Sequence, residues 1–215
     1  MRKYNFNENY FDVIDCQEKA YWLGFFAADG YNHLSKNCIE FRLHKQDKEI
    51  LEKFKSCINA SNPISLYKNT YCSLSLYSKH LCKKLAEYGL GQAKTYTLQL
   101  PKLNDEYMRH FIRGYFDGDG CFSVTKRTDR TENSLTYQFN ITGMEEPLKI
   151  IQKYLVSNID IKNNGLKRKK STIAVTIHYS GRIVCSKILN FLYKDATIYL
   201  QRKYDKYKKY CTSVE

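Results

Sequence analysis

The chain has 215 residues, enough for one compact domain or two small ones sharing a core. Apolar residues make up 43% and aromatic ones 14%, with 19 tyrosines, a balance that excludes a disordered basic tail. Lys and Arg number 35 against 22 Asp and Glu; the net charge of +13 points to a polyanionic partner.

The opening stretch, MRKYNFNENYFDVIDC, lacks the apolar core of a signal sequence. No run is long and apolar enough to span a membrane. The eight cysteines form no C-x-x-C pair and no Cys/His cluster with zinc-ligand spacing. Free thiols and a soluble, intracellular protein are expected, in a bacterial or phage-infected cytoplasm or an organelle.

The first clear element is an apolar helical run ending WLGFFAADG at 22–30. A strand follows, with Ile39, Phe41 and Leu43 alternating with Glu40, Arg42 and His44. Ile50, Leu51, Phe54 and Ile58 then share one face of an amphipathic helix. Cys72, Leu74 and Leu76 alternate with Ser73, Ser75 and Tyr77 in a second strand, and a helix over about 79–88 closes the block.

The same order then begins again. IRGYFDGDG at 112–120 repeats the first run, its Asp119 lying 90 residues after Asp29. Phe122 and Val124 alternate with Ser123 and Thr125; Tyr137, Phe139 and Ile141 alternate with Gln138, Asn140 and Thr142. Pro147 opens a helix carrying Leu148, Ile151 and Leu155. Ile173, Val175 and Ile177 alternate with Thr172, Thr176 and His178, and a helix over 182–192 closes the block. The expected division is a first half at 1–94, a linker at 95–107 around Pro101, and a second half at 108–215. The linker is short, so the halves should pack together.

Gly24 and Ala28 are four apart, as are Gly114 and Gly118, so each pair lies on one helix face. Small residues there let two helices approach closely. If the strips meet, Asp29 and Asp119 come together where the helix ends expose unpaired carbonyls and partial negative charge. Such an all-oxygen site suits a hard divalent cation. The plainer reading of one Asp-Gly at a helix end is a stop with a left-handed glycine; two copies with matching surroundings argue against it.

These two segments resemble the paired motifs of the LAGLIDADG homing endonucleases, and the repeated block order resembles that family's unit. The resemblance implies an α+β fold of two pseudo-symmetric αββαββα halves. Motif helices pack at the centre, and the antiparallel sheets form a DNA-binding saddle. Two motifs in one chain imply a monomeric, Mg²⁺-dependent enzyme that cuts both strands of a long asymmetric site and leaves short 3′ overhangs. Mn²⁺ would serve as well, and Ca²⁺ would support binding without cleavage. The resemblance makes Asp29 and Asp119 the metal-binding acids, assisted by the carbonyls of Ala28 and Gly118. The acid often found two positions earlier is present as Asp117 but replaced by Ala27. Lys94, Lys203 and Lys45 are the basic candidates beside the acids; the plainer reading of each is a surface charge.

On the outward strand faces, the first half offers Asn32, His33, Lys36, Glu40, Arg42 and His44, then Tyr67, Lys68, Ser73 and Ser75. The second offers Ser123, Thr125, Arg127, Arg130, Gln138, Asn140, Thr142, Thr176 and His178. Arg to guanine and Asn or Gln to adenine are pairings that read the major groove. The plainer reading is a solvated sheet face. Lys162, Lys167, Arg168, Lys169 and Lys170 are placed for phosphate contacts. An RNA-splicing maturase or a DNA-binding regulator on the same fold is the rival reading. An intein-borne nuclease is disfavoured by the Met1 start and the lack of flanking splicing blocks.

Overall fold

The computed structural model describes residues 3–91, 100–126, 134–168 and 172–211. They form two compact units, Met1–Gly118 and Asp119–Glu215. The division falls at the end of the second motif helix rather than in the linker. That helix joins the first unit because it packs on the first motif helix.

In the first unit, helix α1 (Gln17–Asp29) leads into strands β1 (Gly30–His33) and β2 (Cys38–His44). Helix α2 (Lys48–Cys57), strands β3 (Ser65–Tyr67) and β4 (Tyr71–Tyr77) and helix α3 (Lys79–Glu87) follow. The strands form one antiparallel sheet in the order β1-β2-β4-β3. Helix α1 is buried continuously from Ala20 to Ala27. An apolar surface all round is what a central helix requires. Trp22, Phe25 and Phe26 meet Phe41 of β2, and Phe54 of α2 closes the cluster. Helix α4 (Asp105–Asp119) begins inside the segment expected as linker. Its first turn carries Asp105 and Glu106, which favour the positive end of the helix dipole.

The second unit continues from α4 with β5 (Gly120–Lys126), β6 (Leu135–Gly143) and helix α5 (Glu145–Asn158). Strands β7 (Leu166–Arg168) and β8 (Val175–Ser180) and helix α6 (Arg182–Tyr193) complete the repeat. The sheet order β5-β6-β8-β7 copies that of the first sheet. A further helix, α7 (Gln201–Cys211), follows the repeat. Its tyrosines pack on α6, with Tyr193 stacked on Tyr207 at 5.0 Å. The expected α+β repeat is therefore present, with one helix added at the end.

Two strand assignments need correction. Ile173 lies outside β8 and is 55% exposed. Among the described residues, β7 and β8 pair from Leu166 and Ile177 to Arg168 and Val175. Asn32 points inward, 1% exposed, although it was expected on the outward face. Its Nδ2 donates to the carbonyls of Cys82 and Leu90, both at 2.9 Å. It thereby ties β1 to the Cys82 carbonyl within α3 and to the Leu90 carbonyl just after it, and Tyr31 takes the outward position in its place.

Among the described residues, no helix is long and apolar enough to cross a membrane. All eight cysteines are unpaired.

Candidate active site and nucleic-acid interface

The small-residue strips of α1 and α4 do meet. A Cβ placed on Gly24 would lie 1.9 Å from the carbonyl oxygen of Phe111, and one on Gly114 would lie 2.0 Å from that of Tyr21. These contacts are reciprocal: adding the 90-residue offset to Tyr21 and Gly24 gives Phe111 and Gly114. Residue i meeting j while the equivalent of j meets the equivalent of i is the mark of a twofold relation. The same offset relates two stacked ring pairs, Tyr21–Phe25 at 6.0 Å and Phe111–Tyr115 at 6.5 Å.

The contact continues to the helix ends. A Cβ on Gly118 would lie 2.3 Å from the Ala28 Cβ and 3.1 Å from Asp29 Oδ2. Gly118, which immediately precedes Asp119, is thus seated on Ala28 and Asp29. Gly30 is not the left-handed stop of the plainer reading, because its φ is −78°. Space is its reason: a Cβ there would lie 2.2 Å from the Phe26 ring.

Asp29 is half-buried and Asp119 exposed. Among the described residues, no three His, Cys, Asp or Glu side chains cluster as a metal cage. Carboxylates and helix-end carbonyls fit a cation that binds through few protein oxygens and keeps water and phosphate as its other ligands. Mg²⁺ has that habit, whereas structural zinc wants four nitrogen or sulfur donors.

Asp117 is buried, and its Oδ2 accepts a 2.9 Å hydrogen bond from the Tyr21 hydroxyl. Burial, and next the Asp117 carboxylate, push the Tyr21 phenol well above its ordinary pKa. Arg113, fully buried, holds its guanidinium 5.4 Å from the Tyr21 ring centre and donates to His110 Nδ1 at 2.6 Å. Burial, then Arg113 and Arg109, depress the His110 pKa to about 4. No sequence pattern announces this buried polar chain.

In the second unit, Lys203 is 6% exposed and its Nζ donates to the Gly120 carbonyl at 2.6 Å. It is a buried contact to the residue after Asp119, not a surface charge. Lys45 is exposed beyond β2 and reaches Asn69 at 3.5 Å. Lys94, Arg127, Arg130, Lys169 and Lys170 lie outside the described residues.

Strand register sorts the remaining candidates. Glu40, Arg42 and His44 lie on the outward face of β2, with Ser73 and Ser75 beside them on β4. Glu40 is ion-paired with Arg42 at 3.0 Å and lies 3.4 Å from His33. Tyr67 shares that face, while Lys36 and Lys68 sit in the exposed connections between strands. Ser123, Thr125, Gln138, Asn140, Thr142, Thr176 and His178 share the outward face of the second sheet, and Lys167 pairs opposite Thr176. Lys162 is exposed. Arg168 falls on the opposite face, opposite Val175, and pairs with Glu145 of α5. Tyr31, Tyr71 and Tyr77 are also exposed on the outward face of the first sheet, beside the residues singled out from the sequence. The parity that places Glu40 outward would have placed them too.

Residues 112–214 match the sequence profile of the family described as LAGLIDADG endonuclease. One curated relative, a replication factor C small subunit from Methanocaldococcus jannaschii, is 31% identical over 123 residues. That stretch is 54% of this chain, and the chain spans only 6% of that relative's length. Among solved structures, the meganuclease I-AabMI bound to uncleaved DNA matches with a TM-score of 0.62 at 16% identity, over 90% of this chain and 88% of that one. The I-SmaMI homing endonuclease bound to cleaved DNA matches with a TM-score of 0.63 at 15% identity, over 89% and 87%. I-CpaMI bound to uncleaved DNA matches at 0.61 and 16% identity, over 88% and 89%. Those likenesses speak for the fold; the profile and the doubled motif speak for the family. Residues 112–214 thus match the LAGLIDADG endonuclease family, and the chain as a whole shares the fold of the LAGLIDADG meganucleases.

Proposed function

We propose that the protein is a sequence-specific homing endonuclease that hydrolyses both strands of a long, asymmetric DNA target with a divalent metal. The observation that carries this reading is the reciprocal glycine contact of α1 and α4, which continues to Ala28, Asp29 and Gly118. Asp29 and Asp119 are the metal-binding acids, and the carbonyls of Ala28 and Gly118 are the further oxygen donors. Bound there, Mg²⁺ or Mn²⁺ would polarise an attacking water and offset charge on the scissile phosphate and its leaving 3′ oxygen. Lys203 fixes the backbone after Asp119 through the Gly120 carbonyl. Lys94 and Lys45 are the other basic candidates near the chemistry.

Double-stranded DNA is the partner that the net charge of +13 favours. Outward strand residues read bases, and lysines such as Lys162 and Lys167 hold phosphates. Outside the protein–DNA complex, a monomer needs no second copy, because both motifs lie in one chain.

The test is a selection of duplexes from randomised DNA in Ca²⁺, followed by cleavage of the winners in Mg²⁺. Asp29→Asn and Asp119→Asn are each expected to abolish cleavage while leaving binding in Ca²⁺ largely intact. Cleavage at the wild-type rate by Asp119→Asn would refute the assignment.

A further inference from the structure

The outward row of the second sheet nearest the motif is Cys121, Asn140 and His178. Asn140 pairs with Cys121 on one side and His178 on the other, so all three project from the same face. Cys121 is only two residues beyond Asp119. Within this row His178 Nδ1 lies 2.7 Å from Asn140 Oδ1. An amide oxygen only accepts, so the ring nitrogen facing it carries the proton. The other nitrogen, Nε2, is then left with a lone pair. The ring is half-buried on the outward face, while Phe139, Ile141 and Ile177 fill the opposite face.

We propose that His178 is a specificity-determining residue that presents Nε2, in a tautomer fixed by Asn140, as a hydrogen-bond acceptor to the major-groove amino group of an adenine or a cytosine. This inference rests on the endonuclease reading above. Two further observations support it. Burial, and next the nearby Lys167 charge on β7, lower the His178 pKa, which keeps the ring neutral. The first sheet differs: at the row equivalent to Asn140 stands Glu40, ion-paired with Arg42. The two half-sites would therefore be read by different chemistry one row from the motif.

The substitution that inverts the device is Asn140→Asp. A carboxylate against Nδ1 favours the imidazolium, whose Nε2 is then a donor. Amino and keto groups occupy matching places in the groove, N6 of adenine against O6 of guanine and N4 of cytosine against O4 of thymine. The preferred base should therefore change by a transition, adenine to guanine or cytosine to thymine.

The experiment selects duplexes from randomised DNA in Ca²⁺ with the wild type, His178→Ala, Asn140→Leu and Asn140→Asp, with thermal melts confirming that each folds. The wild-type profile should contain one position enriched about tenfold for adenine or cytosine, the scale of one base contact. His178→Ala and Asn140→Leu should flatten that position alone, and Asn140→Asp should move it to guanine or thymine. Profiles unchanged by all three variants would overturn the inference while leaving the endonuclease reading standing. A keto base at the position that His178→Ala flattens would overturn it too, since Nε2 would then be the donor. A wild type that enriches no duplex at all would overturn both.

Discussion

Replacing Gly24 by Ala should separate the two motif helices. The added Cβ would lie 1.9 Å from the Phe111 carbonyl oxygen and 2.8 Å from its carbonyl carbon. Real Cβ atoms essentially never come within 3.0 Å of a heavy atom, so something must move by at least 1.1 Å (3.0 less 1.9). The obstacle is helix backbone, which cannot swing aside as a side chain can. Overpacking of a core typically costs about 1–3 kcal/mol, and the rigidity of this obstacle puts the cost near the upper end, about 3 kcal/mol. For a protein of this size that corresponds to a fall in Tm of roughly 6–12 °C. Gly114→Ala meets the Tyr21 carbonyl at 2.0 Å and should cost about as much. The double variant should cost clearly less than the sum, because the helices part only once. Gly91→Ala is the control, since its nearest neighbour would be Leu34 Cδ1 at 4.0 Å. Urea or thermal unfolding measures all four. A Gly24→Ala protein within about 0.5 kcal/mol of wild type would refute the close-approach argument.

Tyr21→Phe removes a buried hydrogen bond to the Asp117 carboxylate and should cost about 1.5–3 kcal/mol in the same unfolding assay. His110 should make stability depend on pH. Its folded pKa of about 4 lies below the ordinary 6.5, so the unfolded chain binds the extra proton between those values. Stability should therefore fall as pH drops from 6.5 toward 4, and His110→Gln should flatten that limb of the unfolding curve. Lys167→Ala should weaken DNA binding evenly across sequences and reduce the log–log salt slope by about one, as read by a binding titration over several salt concentrations.

The doubled motif and the strand alternation made the repeat legible because each is local: small residues four apart and side chains with a period of two. Glu40, Arg42, Asn140 and His178 went to the correct face on that basis. Asn32 did not, since the short strand GYNH has too few apolar positions to set its parity. What decides Asn32 is the pair of carbonyls of Cys82 and Leu90, which are 50 and 58 residues away. Lys203 and Arg168 show the same limit. Their partners, Gly120 and Glu145, are set by how helices return to the sheet, and a charge pattern carries no record of that.

The missing acid at Ala27 becomes intelligible from the packing. Asp117 is the position equivalent to Ala27, and the residue bonded to it, Tyr21, is equivalent to Phe111. One helix pair therefore carries hydroxyl and carboxylate, and its counterpart carries two apolar residues, both buried: Phe111 at 0% and Ala27 at 4% exposure. A carboxylate at position 27 would face a phenylalanine ring edge in place of a donor, and an unpaired buried charge is costly. Loss of the acid and loss of the hydroxyl are thus two parts of one change. This assigns Asp117 to holding α4 against α1, a role that asks nothing of metal binding. It leaves Asp29 and Asp119 as the matched acids of the two motifs. The asymmetry lies two residues back from them, in the helix packing, and again one row beyond them, where Glu40 and Asn140 differ.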